Sequence, residues 1–580
     1  MPKVTSSGAS RAGTKTPSRT APVKSATAKT SGNATSKVAA KVPPKAPAKV
    51  VEKPAPKAPV AKAPVKVAVQ AKVAVPAKPT AQAKVSPASK VVAPVKAPSK
   101  VVATAAKPAV GKSVAGKVAP AIEPKPAPAH ECPKANDITT VAVATRFLMM
   151  RPDFERQRNV KYGEDSFKLD RMRKLLDLLG NPHEKVKTVH VAGTNGKGST
   201  VAMIASMLRA SGYAVGVYTS PHLIDIRERV QIDGNPIGKT DFVETVKTVA
   251  KAAEKLGEQP TFFELMTAVG FCHFAEQAVD IAVIEVGLGG RLDSTNVITP
   301  LVSVVTAIDL DHTKLLGATK AQIAREKAGI FKKGVPALFF EQEPEIDSVM
   351  REAALAAGAE LRIVNKDIEF SSRFCVTPDL GPHTRVCLYT KSSRLEHVPV
   401  PMPGEHQAIN CGLALAAVDV LKSFGFELPE DKLTAGLAST KVPGRMEVVS
   451  HRPRILCDGA HNPAAMNALM RCVGAHVPYD SMVCIFGCCS DKDVAEMIDK
   501  VNLGADKVIF TRSANTPRAS SAEDLQKLFQ ERSGKMSQIA RSVPEAIEMA
   551  IRAVSREDLI CITGSFYVVG EALKYLQERK

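Results

Sequence analysis

The chain has 580 residues, a formal net charge of +21, 11 cysteines and no tryptophan. This length allows several domains, and the uneven distribution of charge excludes one uniform globular fold. Residues 1–130 contain 24 of the 79 lysines and arginines but only two acidic residues, so the excess positive charge is confined to this segment.

Residues 1–130 contain no Phe, Tyr or Trp and repeat Lys-Ala-Pro-Val units such as KVPPKAPAKV. Because few bulky groups offset the entropy of ordering, we predict a disordered basic tail, extended by its prolines. A solubilising spacer, non-specific contact with nucleic acid and a targeting role are the open alternatives. Lysines interrupt every apolar run, so neither a signal peptide nor the ~18 uncharged residues of a membrane span is expected.

The cysteines are scattered over residues 132–561 without C-x-x-C pairs. This usage is typical of a reducing compartment, and we expect a cytoplasmic protein. The adjacent Cys488 and Cys489 lack a second pair of ligands nearby, so plain buried or loop thiols are favoured over a metal or redox site.

From about residue 138, short apolar runs alternate with amphipathic stretches, which predicts parallel strands joined by crossover helices. The predicted strands of this first series are 186–192, 215–218, 280–286, 301–308 and 335–340. After Lys197, the spacing of Val201, Ile204 and Leu208 predicts one helical face, and Gly212 is placed to end the helix.

A second series begins near residue 452, with strands predicted at 454–457, 482–487, 507–511 and 558–562 and helices near 522–532, 543–554 and 566–578. Between the two series, Pro443-Gly444 is interpreted as a hinge. The predicted fold is α/β, with a tail (1–136), a P-loop ATPase-like parallel-sheet domain (137–440) and a smaller Rossmann-like domain (441–580). A cleft between the two domains is expected.

The segment VHVAGTNGKGST, residues 189–200, is predicted to be a strand, a turn and the start of a helix. Its glycines would let backbone N–H groups approach a phosphate, Lys197 would neutralise the β- and γ-phosphates, and Ser199 would bind Mg²⁺. The G-x-x-x-x-G-K-[ST] pattern fails twice, because position 191 is valine and a glycine follows the lysine. A glycine-rich turn with an incidental lysine is the alternative.

This loop resembles that of the folylpolyglutamate synthase and dihydrofolate synthase family, relatives of the Mur ligases, in which glycine normally follows the lysine. Similar segments recur in order over about residues 140–575: YTSPHL, TFFELMTA, VIEVGLGGRLDSTN, DHTKLLG, IAREKAGIF, PGRMEVV, DGAHNP, DKD and TGSFYVVGE. The resemblance implies an ATP- and Mg²⁺-dependent ligase that joins L-glutamate to dihydropteroate and to reduced folates. The basic tail lies outside the resemblance.

The resemblance implies nucleotide contacts along the loop and at three distant positions: Gly193, Thr194, Asn195, Gly196, Lys197, Gly198, Ser199, Thr200, Asn410, Arg445 and Asp458. Arg445 offers a planar fork for phosphate oxygens, and Asp458 offers a carboxylate for ribose hydroxyls. Taken singly, each of these residues is also compatible with ordinary loop chemistry.

The implied magnesium ligands are Ser199, Glu285, His312 and Lys327, and the implied catalytic residues are Lys197, His312 and Lys327. Glu285 ends an apolar strand, where a carboxylate suits a hard cation, although a solvated edge residue is the alternative. His312 alone would indicate a structural histidine. Lys327 cannot bind a cation as an ammonium, so the resemblance implies a carbamylated lysine, with a surface salt bridge as the alternative.

Implied contacts with the acceptor or with glutamate are Thr261, Phe262, Phe263, Glu264, Leu292, Asp293, Ser294 and His461. The two phenylalanines could stack on a flat heterocycle or belong to the core. YTSPHL resembles the mobile substrate loop of the family. GLGGR, which begins at Gly287, lacks the third glycine of a dinucleotide fingerprint, so no nicotinamide cofactor is expected.

Three other functions remain open on the sequence. They are a folylpolyglutamate synthase without dihydropteroate activity, a Mur-like ligase with another acceptor, and a nucleic-acid-binding protein that works through the tail. No convincing Ser-His-Asp or Cys-His set is found, so positioning and electrostatics are expected to provide the rate.

Overall fold

The computed structural model describes residues 132–154 and 169–579. The compact unit that contains them spans Pro120–Lys580. The predicted tail lies outside the described residues except at its end, where Ala135–Asp137 form a 3-10 turn and Ala135 is buried in the core. Packing against the core is therefore already present before the predicted boundary at residue 137.

The larger sheet has eight strands: β1 (Thr188–Ala192), β2 (Val215–Tyr218), β3 (Val230–Ile232), β4 (Asn235–Pro236), β5 (Ile281–Glu285), β6 (Val302–Val305), β7 (Pro336–Phe340) and β8 (Glu360–Val364). Their order is β4-β3-β2-β5-β1-β6-β7-β8, and all pairs are parallel except those that β3 makes. β1 and β5 are buried along their whole length, as expected for strands covered on both faces.

A second sheet of three antiparallel strands follows, formed by β9 (Glu369–Thr377), β10 (Gly381–Tyr389) and β11 (Arg394–Pro399). The third sheet has six strands: β12 (Glu447–His451), β13 (Arg454–Cys457), β14 (Met482–Phe486), β15 (Lys507–Phe510), β16 (Met536–Ile539) and β17 (Leu559–Thr563). Its order is β12-β13-β17-β14-β15-β16, with only β12 antiparallel.

The α-helices of the described residues are α1 (Val141–Met149), α2 (Leu169–Leu178), α3 (Lys197–Ala210), α4 (Lys239–Glu254), α5 (Phe262–Glu276), α6 (Thr313–Leu316), α7 (Lys320–Ala328), α8 (Pro344–Ala357), α9 (Glu405–Lys422), α10 (Glu430–Ala438), α11 (Pro463–His476), α12 (Val494–Gly504), α13 (Ala522–Arg532), α14 (Val543–Ala553) and α15 (Phe566–Glu578). Further 3-10 turns are Pro182–Lys185, Ile226–Arg229 and Ser294–Val297.

Helices cover both faces of each parallel sheet, which is the doubly wound arrangement. On the larger sheet, α3, α9 and α10 pack on one face, while α1, α2, α4 and α5, continued by α7 and α8, pack on the other. On the third sheet, α11, α12 and α13 lie opposite α14 and α15. Within the described ranges, no helix combines the length and apolar character that crossing a bilayer requires.

The predicted α/β fold is confirmed, and every predicted strand has a counterpart within about two residues of its predicted ends, except that β6 ends three residues before its predicted end at residue 308. The three-stranded sheet and the strands β3, β4, β8, β12 and β16 were not predicted. All 11 cysteines are free thiols. Cys488 and Cys489 are buried, and burial raises the pKa of Cys488 to about 12, which agrees with plain thiols. The division at residue 440 stays a prediction.

Candidate active site

A cavity of about 760 Å³ lies where the carboxyl ends of the parallel strands of both sheets face each other. This is the edge at which open α/β sheets bind ligands. The predicted site residues on its wall are Thr194, Asn195, Gly196, Lys197, Gly198, Ser199, Thr261, Phe263, Glu264, Glu285, Leu292, Asp293, Ser294, His312, Asn410, Arg445, Asp458 and His461. Gly193, Thr200, Phe262 and Lys327 are not part of the wall.

Two glycines of the loop between β1 and α3 hold conformations that other residues rarely adopt. Gly193 has φ +148° and Gly196 has φ +93°. A Cβ on Gly193 would lie 1.8 Å from Thr306 Oγ1, and one on Gly196 would lie 2.2 Å from Asn410 Oδ1. Neighbouring side chains therefore approach the loop backbone closely enough to require glycine.

The backbone amides of the loop divide into two groups. The N–H groups of Thr194 and Asn195 donate to the Ala307 carbonyl at 2.8 and 3.3 Å, so they close the loop against the segment after β6. These two N–H groups therefore do not point towards the cavity. The first N–H groups of α3, from Lys197 to Ser199, have no acceptor within the helix and lie beside the cavity.

Two lysines converge on the carbonyl of Gly193. Lys197 Nζ donates to it at 3.1 Å, and Lys327 Nζ donates to it at 2.9 Å. Burial lowers the pKa of Lys327 to about 7, and the charge of Lys197 acts in the same direction. Lys327 thus lies behind the loop as a buried amine that is partly neutral at physiological pH, and the surface salt bridge alternative is wrong because the side chain is 5% exposed.

Glu285 ends β5 directly beside β1, in register with Val191. Its carboxylate is 3.7 Å from the position that a Cβ on Gly198 would take, so it faces the amino end of α3. Burial raises the pKa of Glu285, while Lys197 and the N–H of Ser220, at 3.2 Å from Oε2, oppose that shift. The alternative of a solvated edge residue is wrong, since Glu285 is buried.

The oxygen donors at this point fit a magnesium ion. Glu285 supplies a carboxylate, and Ser199 supplies a hydroxyl in the first turn of α3. Among the described residues, no group of three or more His, Cys, Asp and Glu side chains could hold a metal ion alone. Such a site suits Mg²⁺, which usually keeps waters and takes further oxygens from substrate phosphates.

His312 belongs to a cluster that spans the cavity. Asp311 Oδ1 accepts a hydrogen bond from Lys492 Nζ at 2.5 Å, and His312 Nε2 lies 3.3 Å from the same ammonium. Burial and the charge of Lys492 lower the pKa of His312 to about 3, so the imidazole is neutral. Its Nε2 lone pair faces Lys492 in this structure, and its role as a metal ligand stays a prediction.

Arg445 lies just before β12 and Asp458 directly after β13, so both residues lie at the same end of this antiparallel pair. The Arg445 guanidinium stacks on the Phe566 ring at 4.4 Å from its centroid. Burial lowers the pKa of Arg445, while Asp458 and Glu285 oppose the shift. Asp458 accepts the N–H groups of Met446 and Ala460, each at 2.9 Å, so its carboxylate is held rigidly at the cavity wall.

Side chains from the third sheet contact the phosphate loop directly. Asn462 caps α11 and donates to Asn195 Oδ1 at 2.9 Å, and its amide also reaches Asp311 Oδ2 at 3.4 Å. His461 Nε2 lies 3.6 Å from the same Asp311 oxygen. The DGAHNP segment is therefore joined to the loop in front of α3.

The TFFE segment begins α5 with a capping box. Thr261 and Glu264 each accept a hydrogen bond on the side chain from the backbone N–H of the other. Arg171 Nε also donates to both oxygens of the Glu264 carboxylate, at 2.9 and 3.0 Å. Phe263 lies on the cavity wall. Phe262 is buried in the core and does not reach the cavity, because neighbouring positions on a helix point in directions about 100° apart.

Asp293 organises the loop after β5 from inside. Its Oδ2 accepts the N–H groups of Gly287 and Leu288 at 3.1 and 2.9 Å, and its Oδ1 accepts from the N–H and hydroxyl of Thr295. Burial raises the pKa of Asp293, and these hydrogen bonds oppose the shift. Leu292 and Ser294 thereby hold fixed places on the cavity wall.

The segment 219–229, which contains the end of YTSPHL, forms a loop against the third sheet. The Glu228 carboxylate accepts the backbone N–H groups of Leu223, Ile224 and Asp225. The Leu223 carbonyl is so close to α15 that a Cβ on Gly570 would lie 2.1 Å from it. Ser220 and Pro221 line the cavity beside Glu285.

Several wall residues were missed from the sequence: Ser220, Asp311, Lys492 and Phe566. Each lies in a segment that carries the family resemblance, namely YTSPHL, DHTKLLG, DKD or TGSFYVVGE, but its residue type alone indicates no specific role. Asp311 directly precedes His312, so a second polar side chain at that strand end was the available signal. Lys492 offered none, because its partner is 181 positions away.

Two family matches cover most of the described chain. The Mur ligase middle domain matches residues 191–418, and the Mur ligase glutamate ligase domain matches residues 444–566. Dihydrofolate synthase/folylpolyglutamate synthase of Bacillus subtilis is 34% identical over 415 residues, covering 70% of this chain and 95% of its own. Folylpolyglutamate synthase of Lacticaseibacillus casei is 36% identical over 407 residues, covering 69% and 92%.

Solved structures give the same result. Escherichia coli FolC in complex with DHPP and ADP superposes with a TM-score of 0.67 and 31% identity, covering 77% of this chain and 99% of its own. Mycobacterium tuberculosis folylpolyglutamate synthase complexed with ADP and AMPPCP superposes with a TM-score of 0.66 and 33% identity, covering 71% and 95%. These likenesses extend over both parallel sheets.

Proposed function

The chain belongs to the dihydrofolate synthase/folylpolyglutamate synthase family of Mur ligases, and on that premise we propose that it joins L-glutamate to dihydropteroate and to reduced folates with consumption of ATP. One observation carries the proposal. A single cavity is lined by the amino end of α3, the Glu285 carboxylate and the acceptor-side residues Phe263 and Ser294.

The chemistry requires an activated carboxyl group. A carboxylate does not react with an amine at neutral pH until one of its oxygens becomes a good leaving group. Transfer of the γ-phosphoryl group of ATP to the acceptor carboxylate gives an acyl phosphate, and attack by the glutamate amine then forms the amide and releases phosphate. The protein needs no nucleophilic side chain for these steps, so positioning and charge stabilisation provide the rate.

The residues around the first turn of α3 would handle the phosphates. The amides of α3 and the Lys197 ammonium would bind the anionic oxygens, and Arg445 would approach them from the other side of the cavity. Bound Mg²⁺, held by Ser199 and Glu285 with His312 and a carbamylated Lys327 as the further ligands that the family implies, would disperse charge during transfer. Asn410 and Asp458 would contact the nucleoside.

The acceptor would lie along Phe263, Leu292 and Ser294. Phe263 is the aromatic face available for stacking on a heterocycle, since Phe262 points into the core. His461, beside Asp311 and Lys492, is proposed for the incoming glutamate, whose carboxylates need cationic or donor partners. A cytoplasmic location is part of this proposal and is supported by the free thiols.

The test is ATP-dependent incorporation of labelled glutamate with dihydropteroate, with tetrahydrofolate and with no acceptor. We expect incorporation and stoichiometric ADP release with either acceptor and none without one. Incorporation with tetrahydrofolate alone would identify a monofunctional folylpolyglutamate synthase. The Lys197→Ala variant is the control and should lose roughly 100-fold in rate, because an electrostatic contact to the transferred group is removed. ADP release that does not depend on an acceptor would contradict the proposal.

A further inference from the structure

A buried chain of hydrogen bonds connects β1 to the acceptor side of the cavity. His190, in the middle of β1, is fully buried, and its Nε2 lies 2.8 Å from Thr295 Oγ1. The same hydroxyl lies 2.5 Å from Asp293 Oδ1. His190, Thr295 and Asp293 therefore form one hydrogen-bonded chain. Asp293, at its end, holds the loop that contains Leu292 and Ser294.

The direction of these hydrogen bonds follows from the donors around Asp293. Three backbone N–H groups, which can only donate, point at its two oxygens. This favours the carboxylate form, so the single hydroxyl proton of Thr295 is directed to Asp293. Thr295 Oγ1 is then left as an acceptor, and His190 has to supply the proton from Nε2.

The other ring nitrogen agrees with this assignment. His190 Nδ1 is buried and has no hydrogen-bond partner among the described residues. A proton on Nε2 leaves an orphaned lone pair at Nδ1, which is less unfavourable than an orphaned N–H group. Burial also lowers the pKa of His190 to about 3, so the ring stays neutral and keeps one fixed donor at physiological pH.

The loop that this hydrogen-bonded chain supports is tightly packed against the rest of the site. A Cβ on Gly290 would lie 2.8 Å from the Lys327 carbonyl, and Asn296 Nδ2 donates to the Gly329 carbonyl at 3.0 Å. The same loop follows Glu285 directly. A shift of Asp293 would consequently move the acceptor wall and disturb its packing against α7.

We propose that His190 and Thr295 are positioning residues that orient the acceptor-binding loop through Asp293. Neither residue is part of the cavity wall, and both act through the carboxylate that holds residues 287–295 in place. The proposal rests on the acceptor site described under the proposed function, because it assigns Leu292 and Ser294 to the acceptor.

The variant test compares Thr295→Val with Thr295→Ser. The valine keeps the shape but loses both hydrogen bonds, so we expect the KM for the pteroate or folate acceptor to rise roughly tenfold while the KM for ATP stays within about twofold. The serine keeps the hydroxyl and should restore the acceptor KM. Thr511→Val is the matched control, because Thr511 is equally buried, its hydroxyl has no hydrogen-bond partner within the described part of the chain, and it lies off the cavity wall.

A spectroscopic measurement on the wild-type protein tests the same hydrogen-bonded chain without turnover. Nitrogen-15 NMR of the imidazoles, with the His190 signals assigned by their absence in His190→Gln, should show a neutral ring protonated at Nε2 at pH 7.5 and pH 5.5. A proton on Nδ1, or a ring that becomes charged over this range, would overturn the proposal. So would equal acceptor KM values for Thr295→Val and Thr295→Ser. Failure of the wild-type protein to ligate glutamate would instead overturn the proposed function and leave the NMR result interpretable.

Discussion

Among the glycines of the phosphate loop that line the cavity, Gly196 has the least room for a side chain. It combines φ +93° with a Cβ position 2.2 Å from Asn410 Oδ1. Its demand for glycine therefore has two separable parts, a backbone conformation and a contact. Gly212, after α3, has a nearly identical φ of +95° but nothing within 4 Å of its Cβ position, so it isolates the conformational part.

Gly196→Ala should raise the KM for ATP at least roughly tenfold, because backbone strain and displacement of Asn410 both deform the loop. Gly212→Ala should lower the free energy of unfolding by about 1 kcal/mol and leave the KM for ATP unchanged. Steady-state kinetics and urea titrations of the two variants check this. Equal effects on the KM for ATP would show that the contact with Asn410 is irrelevant.

Lys327 provides a pH-dependent prediction. Carbon dioxide reacts only with the neutral amine, and burial places the pKa of Lys327 at about 7. The neutral fraction grows as the pH rises through 7 and falls below it, so a carbamate should accumulate at pH 8 and decrease at pH 6. Carbon-13 NMR with labelled bicarbonate would detect it, and Lys327→Arg should abolish the signal. A carbamate signal that is absent at pH 8 would contradict the assignment.

The position of some site residues could be predicted from the sequence, and that of others could not. Glu285 was predictable because it ends a continuous apolar strand, and parallel strands bring their carboxyl ends to one edge. Phe262 and Phe263 were not separable, since neighbours in a helix are distinguished only by the helical phase. The contact between Asp311 and Lys492 depends on the approach of two sheets, which no local pattern encodes.

At the scale of elements, the contact between the 219–229 loop and α15 joins the two parallel sheets. Leu223 packs with the apolar side chains of α14 and α15, and its carbonyl lies over Gly570. The same loop presents the Ser220 N–H to Glu285. The position of α15 is thereby linked to the carboxylate beside the phosphate loop.

Gly570→Ala should destabilise the protein by roughly 1–3 kcal/mol and lower kcat, because a Cβ 2.1 Å from the Leu223 carbonyl forces the loop and helix apart. Gly474→Ala in α11 is the matched control. Its Cβ position is open, so alanine should stabilise the helix by up to about 1 kcal/mol. Urea titrations and ligation rates would check both, and a Gly570→Ala variant with wild-type stability and rate would contradict the coupling.

The elements themselves were predictable to different degrees. Strands buried on both faces, such as β5 and β14, form unbroken apolar runs and were located within about two residues. The strands β9 to β11 were missed because polar side chains interrupt the apolar ones along each of them, so they form no unbroken apolar run. The edge strand β16 was missed for the same reason, since its polar and apolar residues alternate and it is only partly buried.

At the scale of the whole molecule, the net positive charge is confined to residues 1–130, and the rest of the chain is nearly neutral. Residues 1–130 carry a formal charge of +22, and the remaining residues carry −1. The alternation of strands and helices predicted two α/β series and a cleft. The closeness of the two sheets, which brings Asn462 to Asn195, could not be predicted because it results from packing between distant segments.

If the full chain is retained on a DNA column in a salt-sensitive way, removal of residues 1–130 should abolish this retention, because the excess positive charge is confined to them. Ligation of glutamate by the truncated protein should remain unchanged. Chromatography over a salt gradient and the incorporation assay check the two expectations. Retention of the truncated protein would place the anion-binding surface in the ligase part, and a loss of ligation would assign the tail a role in catalysis.

The central claim is that the acceptor carboxylate is phosphorylated in the cavity beside Lys197, Ser199 and Glu285. The most direct measurement uses an acceptor labelled with ¹⁸O in that carboxylate and mass analysis of the phosphate released during ligation. An acyl phosphate predicts that each phosphate carries one labelled oxygen, because the bond from carbon to that oxygen breaks when the glutamate amine attacks. Amide formation with unlabelled phosphate would contradict the account.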